Sequence, residues 1–186
     1  MDLLHIFYDV VSLIIIVIMA IMTTRLRKLA FCDQLTELHN TRYLYRQEKR
    51  VVNKARKSGS KICFFFVDLD GLKFINDNYS HEIGDKAIQK IASVLKKFFH
   101  LNTDLVVRRN KGDEFICVCQ AGEKVANIFA EDLQKRLKNL LINTGSSCIY
   151  ISATVGFYCS APNYGVFKKI ENKADAEMYK RKEKKR

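Results

Sequence analysis

The chain opens with a long, mostly apolar stretch and then alternates between helix-like and strand-like spacing of its hydrophobic positions. Leu3 to Met22 is almost wholly apolar, interrupted mainly by His5, Asp9 and Ser12. That length just reaches the roughly 20 residues a helix needs to cross a bilayer. Arg25, Arg27 and Lys28 follow at once, so the positive-inside rule places everything after Thr24 in the cytoplasm. No positive residue precedes the run and no small-x-small cleavage site follows it, which argues against a removed signal peptide. The expected arrangement is a single pass through the inner, cytoplasmic membrane. Residues 1–28 form the anchor helix and its basic flank, and residues 29–186 form one domain. A carboxylate at membrane depth is costly, so Asp9 leaves open a helix that lies on the membrane or faces a partner.

Beyond the leader, Asp33 is placed to cap a helix whose buried stripe starts at Leu35 and Leu38, and the basic run Lys49 to Lys57 leads to a turn at Ser58-Gly59-Ser60. Ile62 to Val67 is apolar throughout, the mark of a strand covered on both faces. Ala87, Ile88, Ile91, Leu95 and Phe98 recur at helical spacing, with Lys86, Gln89, Lys90, Ser93 and Lys97 on the other side. Leu105–Arg108 and Phe115–Cys119 flank Arg109-Asn110-Lys111-Gly112, whose Asn and Gly tolerate positive φ, and they predict a hairpin. Val125, Ile128, Phe129, Leu133, Leu137 and Leu140 mark another amphipathic helix. Ile149, Ile151, Ala153, Val155 and Phe157 alternate as one strand, and Phe167, Ile170, Ala174 and Met178 line a last helix from Tyr164 onward.

This order predicts an α+β fold: a ferredoxin-like or palm-type split βαβ sheet, mainly antiparallel, with helices packed around it and concentrated on one face. The end of the first strand then lies beside the central hairpin, so Asp68 can meet Asp113 and Glu114. Composition agrees, since 48% hydrophobic and 28% charged residues exclude a disordered chain. A length of 186 residues leaves no room for two enzymatic domains.

The net charge of +12 suits nucleic acid, an anionic membrane or a phosphate-rich small molecule. Lys180 to Arg186 carries six basic residues against Glu183 alone, which a solvated end explains as well as a partner does. The six cysteines show no paired metal-ligand spacing and read as reduced core residues. Cys117 and Cys119 share a strand face, but with no second pair they do not make a zinc or redox site.

The chemistry concentrates in residues 66–85. An apolar strand ends in Asp68 and Asp70, which alternate onto one face, and Lys73, Asn76, His81 and Asp85 follow. That is more polar machinery than folding requires, and it reads as a metal and nucleotide site. A nucleic-acid-binding or lipid-binding protein would account for the charge but not for these acids. The strand and loop from Asp68 to Asp85 stand beside two other motifs: the hairpin signature Lys111-Gly112-Asp113-Glu114-Phe115 and the segment Asp33-Gln-Leu-Thr-Glu-Leu-His-Asn-Thr-Arg42. With Ala174-Asp175, Tyr179, Lys182 and Arg186 at the far end, they resemble, over residues 33–186, the GGDEF-domain family of diguanylate cyclases.

The resemblance implies condensation of two GTP molecules into cyclic di-GMP with release of pyrophosphate, at the interface of a homodimer in which each monomer brings one GTP. It assigns Asp68, the carbonyl of Leu69, and Asp113 and Glu114 to Mg²⁺ or Mn²⁺. Asp113, Glu114 and Lys73 carry the catalytic role, and the loop at Gly112 lets the nucleotide approach the backbone. Asn76 and Asp85 read guanine, because a carboxylate accepts from both its N1–H and its exocyclic amine. His81 sits with them, equally explained as a structural histidine. Lys182 and Arg186, four apart on a helix, clamp phosphates. Phe74, Ile75 and Tyr79 are expected to pack, and Asp77 to solvate a loop end. No nucleic-acid partner is implied.

The chain departs from the family pattern at Lys111, which stands at the signature's first glycine, and in one extra residue between Asp104 and Gly112. Ser80 and Glu37 replace two other common glycines. The product-binding Arg-x-x-Asp is missing, since Leu101 stands three before Asp104. Two readings follow: an active cyclase, or an inactive GGDEF domain acting as a GTP-binding or protein-interaction module.

Overall fold

In a computed structural model, residues 3–100, 103–110, 112–145 and 147–183 are described. Helix α1 (Leu3–Phe31) leads into β1 (His39–Asn40) and α2 (Thr41–Ser58), followed by β2 (Lys61–Leu69), α3 (Leu72–Asn78) and α4 (His81–Phe98). The hairpin strands β3 (Leu105–Arg108) and β4 (Glu114–Ala121) precede α5 (Glu123–Arg136). The short strands β5 (Leu140–Asn143) and β6 (Cys148–Ile151), then β7 (Ala153–Ser160) and α6 (Val166–Glu183), complete the chain. The main sheet has the order β1-β3-β4-β2-β7. Only the β1–β3 pair is parallel; β2 is antiparallel to both β4 and β7.

Strand β2 sits where its composition demands. Every residue from Ile62 to Val67 is fully buried, and because side chains alternate, the run feeds two cores. Cys63, Phe65 and Val67 pack with Ala87, Ile91 and Leu95 of α4 and Ala126, Ala130 and Leu133 of α5. Ile62, Phe64 and Phe66 pack with Leu44, Val52 and Ala55 of α2 and Phe167 and Ile170 of α6. Each large side chain removed from water in this way contributes roughly 1.5–3 kcal/mol. Helices therefore cover both faces of the sheet rather than concentrating on one, which is what an all-apolar strand requires.

Several local expectations are corrected. Asp33 does not start a helix: its carboxylate accepts from the Thr36 N–H at 2.9 Å and the Thr36 hydroxyl at 2.7 Å, closing a turn. The helix begins at Thr41, capped by Asn40, whose Oδ1 accepts from the Tyr43 N–H at 3.2 Å and whose Nδ2 donates to the Ala30 carbonyl at 2.9 Å. Helix α5 buries Ala126, Ala130 and Leu133 and leaves Val125 and Ile128 exposed; the small alanines allow closer approach to the sheet. The strand expected over Ile149 to Phe157 is broken at Ser152, with β6 turned away to pair with β5. Phe74 on α3 and Tyr79 just after it are exposed, and only Ile75 of that trio is buried. Cys63 and Cys159, opposite each other across β2 and β7, are joined by a disulfide with Cα atoms 4.0 Å apart, against the expectation of reduced thiols. Ala174 and Met178 have no described side chain.

Helix α1 is exposed over most of its described side chains, and its stretch from His5 to Phe31 is long and apolar enough to cross a membrane.

Candidate active site at the ends of β2 and β4

The ladder sets the acids side by side. Asp68 pairs in register with Glu114 on β4 and with Thr154 on β7. These three side chains share the face that Phe66 occupies two residues earlier. Asp68 is only 7% exposed. Asp70 reaches the same row, its carboxylate accepting from the Thr154 hydroxyl at 2.7 Å. The Asp113 carbonyl accepts from the Leu69 N–H at 3.2 Å, locking the hairpin turn to the end of β2. Among the described residues, no three acids or histidines close into a ready-made metal cage. The acids form a cross-strand pair with neighbours, not a finished coordination shell.

Two consecutive arginines at the end of β3 diverge. Arg108 is buried: its Nη1 donates to Asp33 at 3.0 Å and its Nε to the Gly112 carbonyl at 2.8 Å. Burial raises the Asp33 pKa, but hydrogen bonds from Thr36 and Arg108 outweigh that and hold the carboxyl below the usual range. Arg109 turns to the opposite face, where its Nη1 lies 3.3 Å from Glu114 Oε2 and its guanidinium sits 5.0 Å above the Phe66 ring. Between this pair and Gly112, Asn110 takes φ of 49°, and Lys111 lies outside the described residues.

The second half of the site is the α3–α4 corner. The Ser80 hydroxyl accepts from the Ile83 N–H at 3.3 Å and caps α4, a task glycine cannot perform. Asn76 leans over Gly84 so closely that a Cβ there would come within 1.9 Å of its Oδ1. That Oδ1 is buried without a hydrogen-bond partner, an arrangement that costs stability unless something else supplies a donor. Asp85 follows Gly84 on α4 and is exposed, as are His81 in the first turn of α4 and Lys73 in the first turn of α3. Lys182 lies near the end of α6, with its side chain not described, and Arg186 lies outside the described residues.

The fold thus brings together Asp68, Leu69, Asp113, Glu114 and Gly112 at one corner, with Lys73, Asn76, His81 and Asp85 on the adjoining helices. Sequence reasoning missed Thr154, Arg108 and Arg109. Nothing in their spacing marks them, because each is defined by a partner on another strand or turn. The Cys117 and Cys119 thiols are far from any such role: burial pushes both up, Cys119 to about 12.

Comparison with known proteins identifies the family and the fold. The family described as "Diguanylate cyclase, GGDEF domain" matches residues 30–186. Over 153 residues, 82% of its length, the chain is 29% identical to the bifunctional diguanylate cyclase/cyclic di-GMP phosphodiesterase MucR of Pseudomonas aeruginosa. Over 109 residues, 58% of its length, it is 33% identical to the probable diguanylate cyclase DgcJ of Escherichia coli. It spans only 22% of either relative. The GGDEF domain of DgcB from Caulobacter crescentus, solved in complex with c-di-GMP, matches with TM-score 0.74 at 25% identity, over 84% of this chain and 90% of that one. A longer DgcB structure with its coiled coil gives TM-score 0.85 at 22% identity, over 96% and 94% of the two chains, a likeness of fold. The chain belongs to the GGDEF family of diguanylate cyclase domains.

Proposed function

We propose that the chain is a diguanylate cyclase that joins two GTP molecules into cyclic di-GMP. In each half-reaction a ribose 3′-oxygen forms a bond to the α-phosphorus of the other nucleotide, the bond to pyrophosphate breaks, and the hydroxyl proton is lost. The observation that carries this reading is the register of Asp68 against Glu114 at the ends of two adjacent strands. Such an all-oxygen donor set suits a hard divalent cation. Asp68, Glu114, Asp113 and the Leu69 carbonyl would hold Mg²⁺ or Mn²⁺, which when bound offsets triphosphate charge and makes the 3′-hydroxyl easier to deprotonate.

This chain's own groups then bind and orient. Asn76 uses its unpartnered Oδ1 as acceptor for a guanine N–H, and Asp85 accepts from the same base edge. His81 stands beside them at the start of α4. Lys73 places a positive charge at the start of α3, and Gly112 lets the nucleotide approach the hairpin backbone. Lys182 and Arg186 complete the phosphate contacts. One domain supplies one GTP site, so turnover needs a homodimer. Helix α1 spans the inner membrane and leaves the domain in the cytoplasm, concentrating the monomers in two dimensions.

The test is to incubate the purified full chain with GTP and Mg²⁺ and measure cyclic di-GMP, with Asp68→Ala abolishing it. One observation favours a second reading, a domain that binds GTP or a protein without turnover: Glu114 is already ion-paired to Arg109. No product from the parent, but product from Lys111→Gly, selects that reading.

A further inference from the structure

Arg109 is ion-paired to one of the candidate metal acids, Glu114, in a position that water partly reaches. Its Nη1 lies 3.3 Å from Glu114 Oε2, with the two side chains 24% and 32% exposed, and its guanidinium also rests on the face of Phe66. Its backbone, by contrast, is fixed. The Arg109 N–H donates to the Glu114 carbonyl at 2.8 Å, and the Arg109 carbonyl accepts from the Gly112 N–H at 3.0 Å. The side chain can therefore change partners without moving the hairpin. Guanidinium pairs with carboxylate and with phosphate by the same hydrogen-bonding fork.

A divalent cation on Glu114 and a guanidinium in contact with the same carboxylate repel strongly in a half-buried site. Passing the guanidinium to another anion relieves that repulsion. The arriving triphosphate is the anion within reach, and Arg109 belongs to the hairpin turn that the nucleotide approaches.

We propose that Arg109 is an exchangeable counter-ion: it neutralises Glu114 while the site is empty, and passes to the nucleotide phosphates when a cation–triphosphate complex binds. This rests on the reading of the strand ends as a cation and GTP site. Arg109 thereby weakens the binding of bare metal and strengthens the binding of metal together with nucleotide. The site stays quiet towards free cations and responds to the substrate complex.

The two halves have opposite signs, which separates exchange from simple damage. In the full chain held in detergent, Mn²⁺ affinity without nucleotide is measured by electron paramagnetic resonance, and affinity for α,β-methylene-GTP with Mg²⁺ by calorimetry. Arg109→Gln is expected to bind bare Mn²⁺ about ten-fold more tightly and the magnesium–nucleotide complex about ten-fold more weakly, in line with losing one close charge pair. Arg109→Lys retains the charge and falls between parent and Arg109→Gln in both assays. Changes of the same sign, or no change in either assay, overturn the exchange. Asp68→Ala separates the two ideas: if it binds both probes as the parent does, or if neither the parent nor Arg109→Gln binds either probe, the reading of the site fails and the exchange with it.

Discussion

Arg108 and Arg109 are neighbours in sequence and opposites in energetics. Arg108 and Asp33 are 6% and 8% exposed and hold the end of α1 to the signature hairpin. Arg109 and Glu114 sit half-open at the sheet end. Both pairs join a guanidinium to a carboxylate. What differs is the access of water, and that decides whether a pair is architecture or a replaceable part. A buried pair that loses one member leaves the other charge stranded, whereas a half-open pair lets water take the vacant place.

The largest expected effect follows from removing Arg108. Arg108→Met should cost about 3–5 kcal/mol in denaturant unfolding, because Asp33 would be left buried without its counter-ion. Its pH dependence carries a sign. Asp33 has a folded pKa below the ordinary aspartate value of 3.8, so its stabilisation is full above that value and is lost as pH falls through the folded pKa. In Arg108→Met the Asp33 carboxylate stays buried without the arginine, so the deficit relative to the parent should shrink on acidification. A deficit that is constant from pH 7 to pH 3 would refute the buried-pair account.

On the open side, Gly84→Ala should come next. The added Cβ meets Asn76 Oδ1, so about 1–3 kcal/mol of stability is expected to go. Affinity for the GTP analogue should fall with it, since Asn76 is displaced from its place on the base. Intact binding in Gly84→Ala would remove Asn76 from the site.

A smaller change of opposite sign is expected at Glu37, which lies in the turn after Asp33 with φ of 58°. Glu37→Gly should stabilise the chain by about 1 kcal/mol by relieving left-handed strain. The exposed Lys28–Glu37 contact that it removes contributes little. The smallest effect closes the comparison: Arg109→Met should change stability by less than about 1 kcal/mol, while altering ligand binding as described above. A loss as large as that of Arg108→Met would erase the distinction between the two arginines.

Much of this was legible before any coordinates, for identifiable reasons. The unbroken run Ile62–Val67 stated that β2 is covered on both faces, and Asn110 and Gly59 take the positive φ that their turns require. The acids at the strand end and the hairpin signature named residues that the sheet register sets side by side. Misreadings arose where a local pattern has two physical solutions. Asp33 three residues before Thr36 looks like a helix cap, and it is a cap, but of a turn. The large apolar residues of α5 suggest one inner face, whereas the sheet selects the alanine face. The Cys63–Cys159 bridge joins residues 96 apart, a pairing that only the register of two strands defines.

The sequence by itself determined the periodicity of each element, the apolar leader and the presence of a carboxylate cluster, because these depend on residue type and near spacing. Tertiary structure alone decided which arginine is buried, which asparagine oxygen is left without a donor and which threonine meets which aspartate. Those outcomes depend on which segments are pressed together and on how much water remains between them. Spacing along a chain carries no record of either.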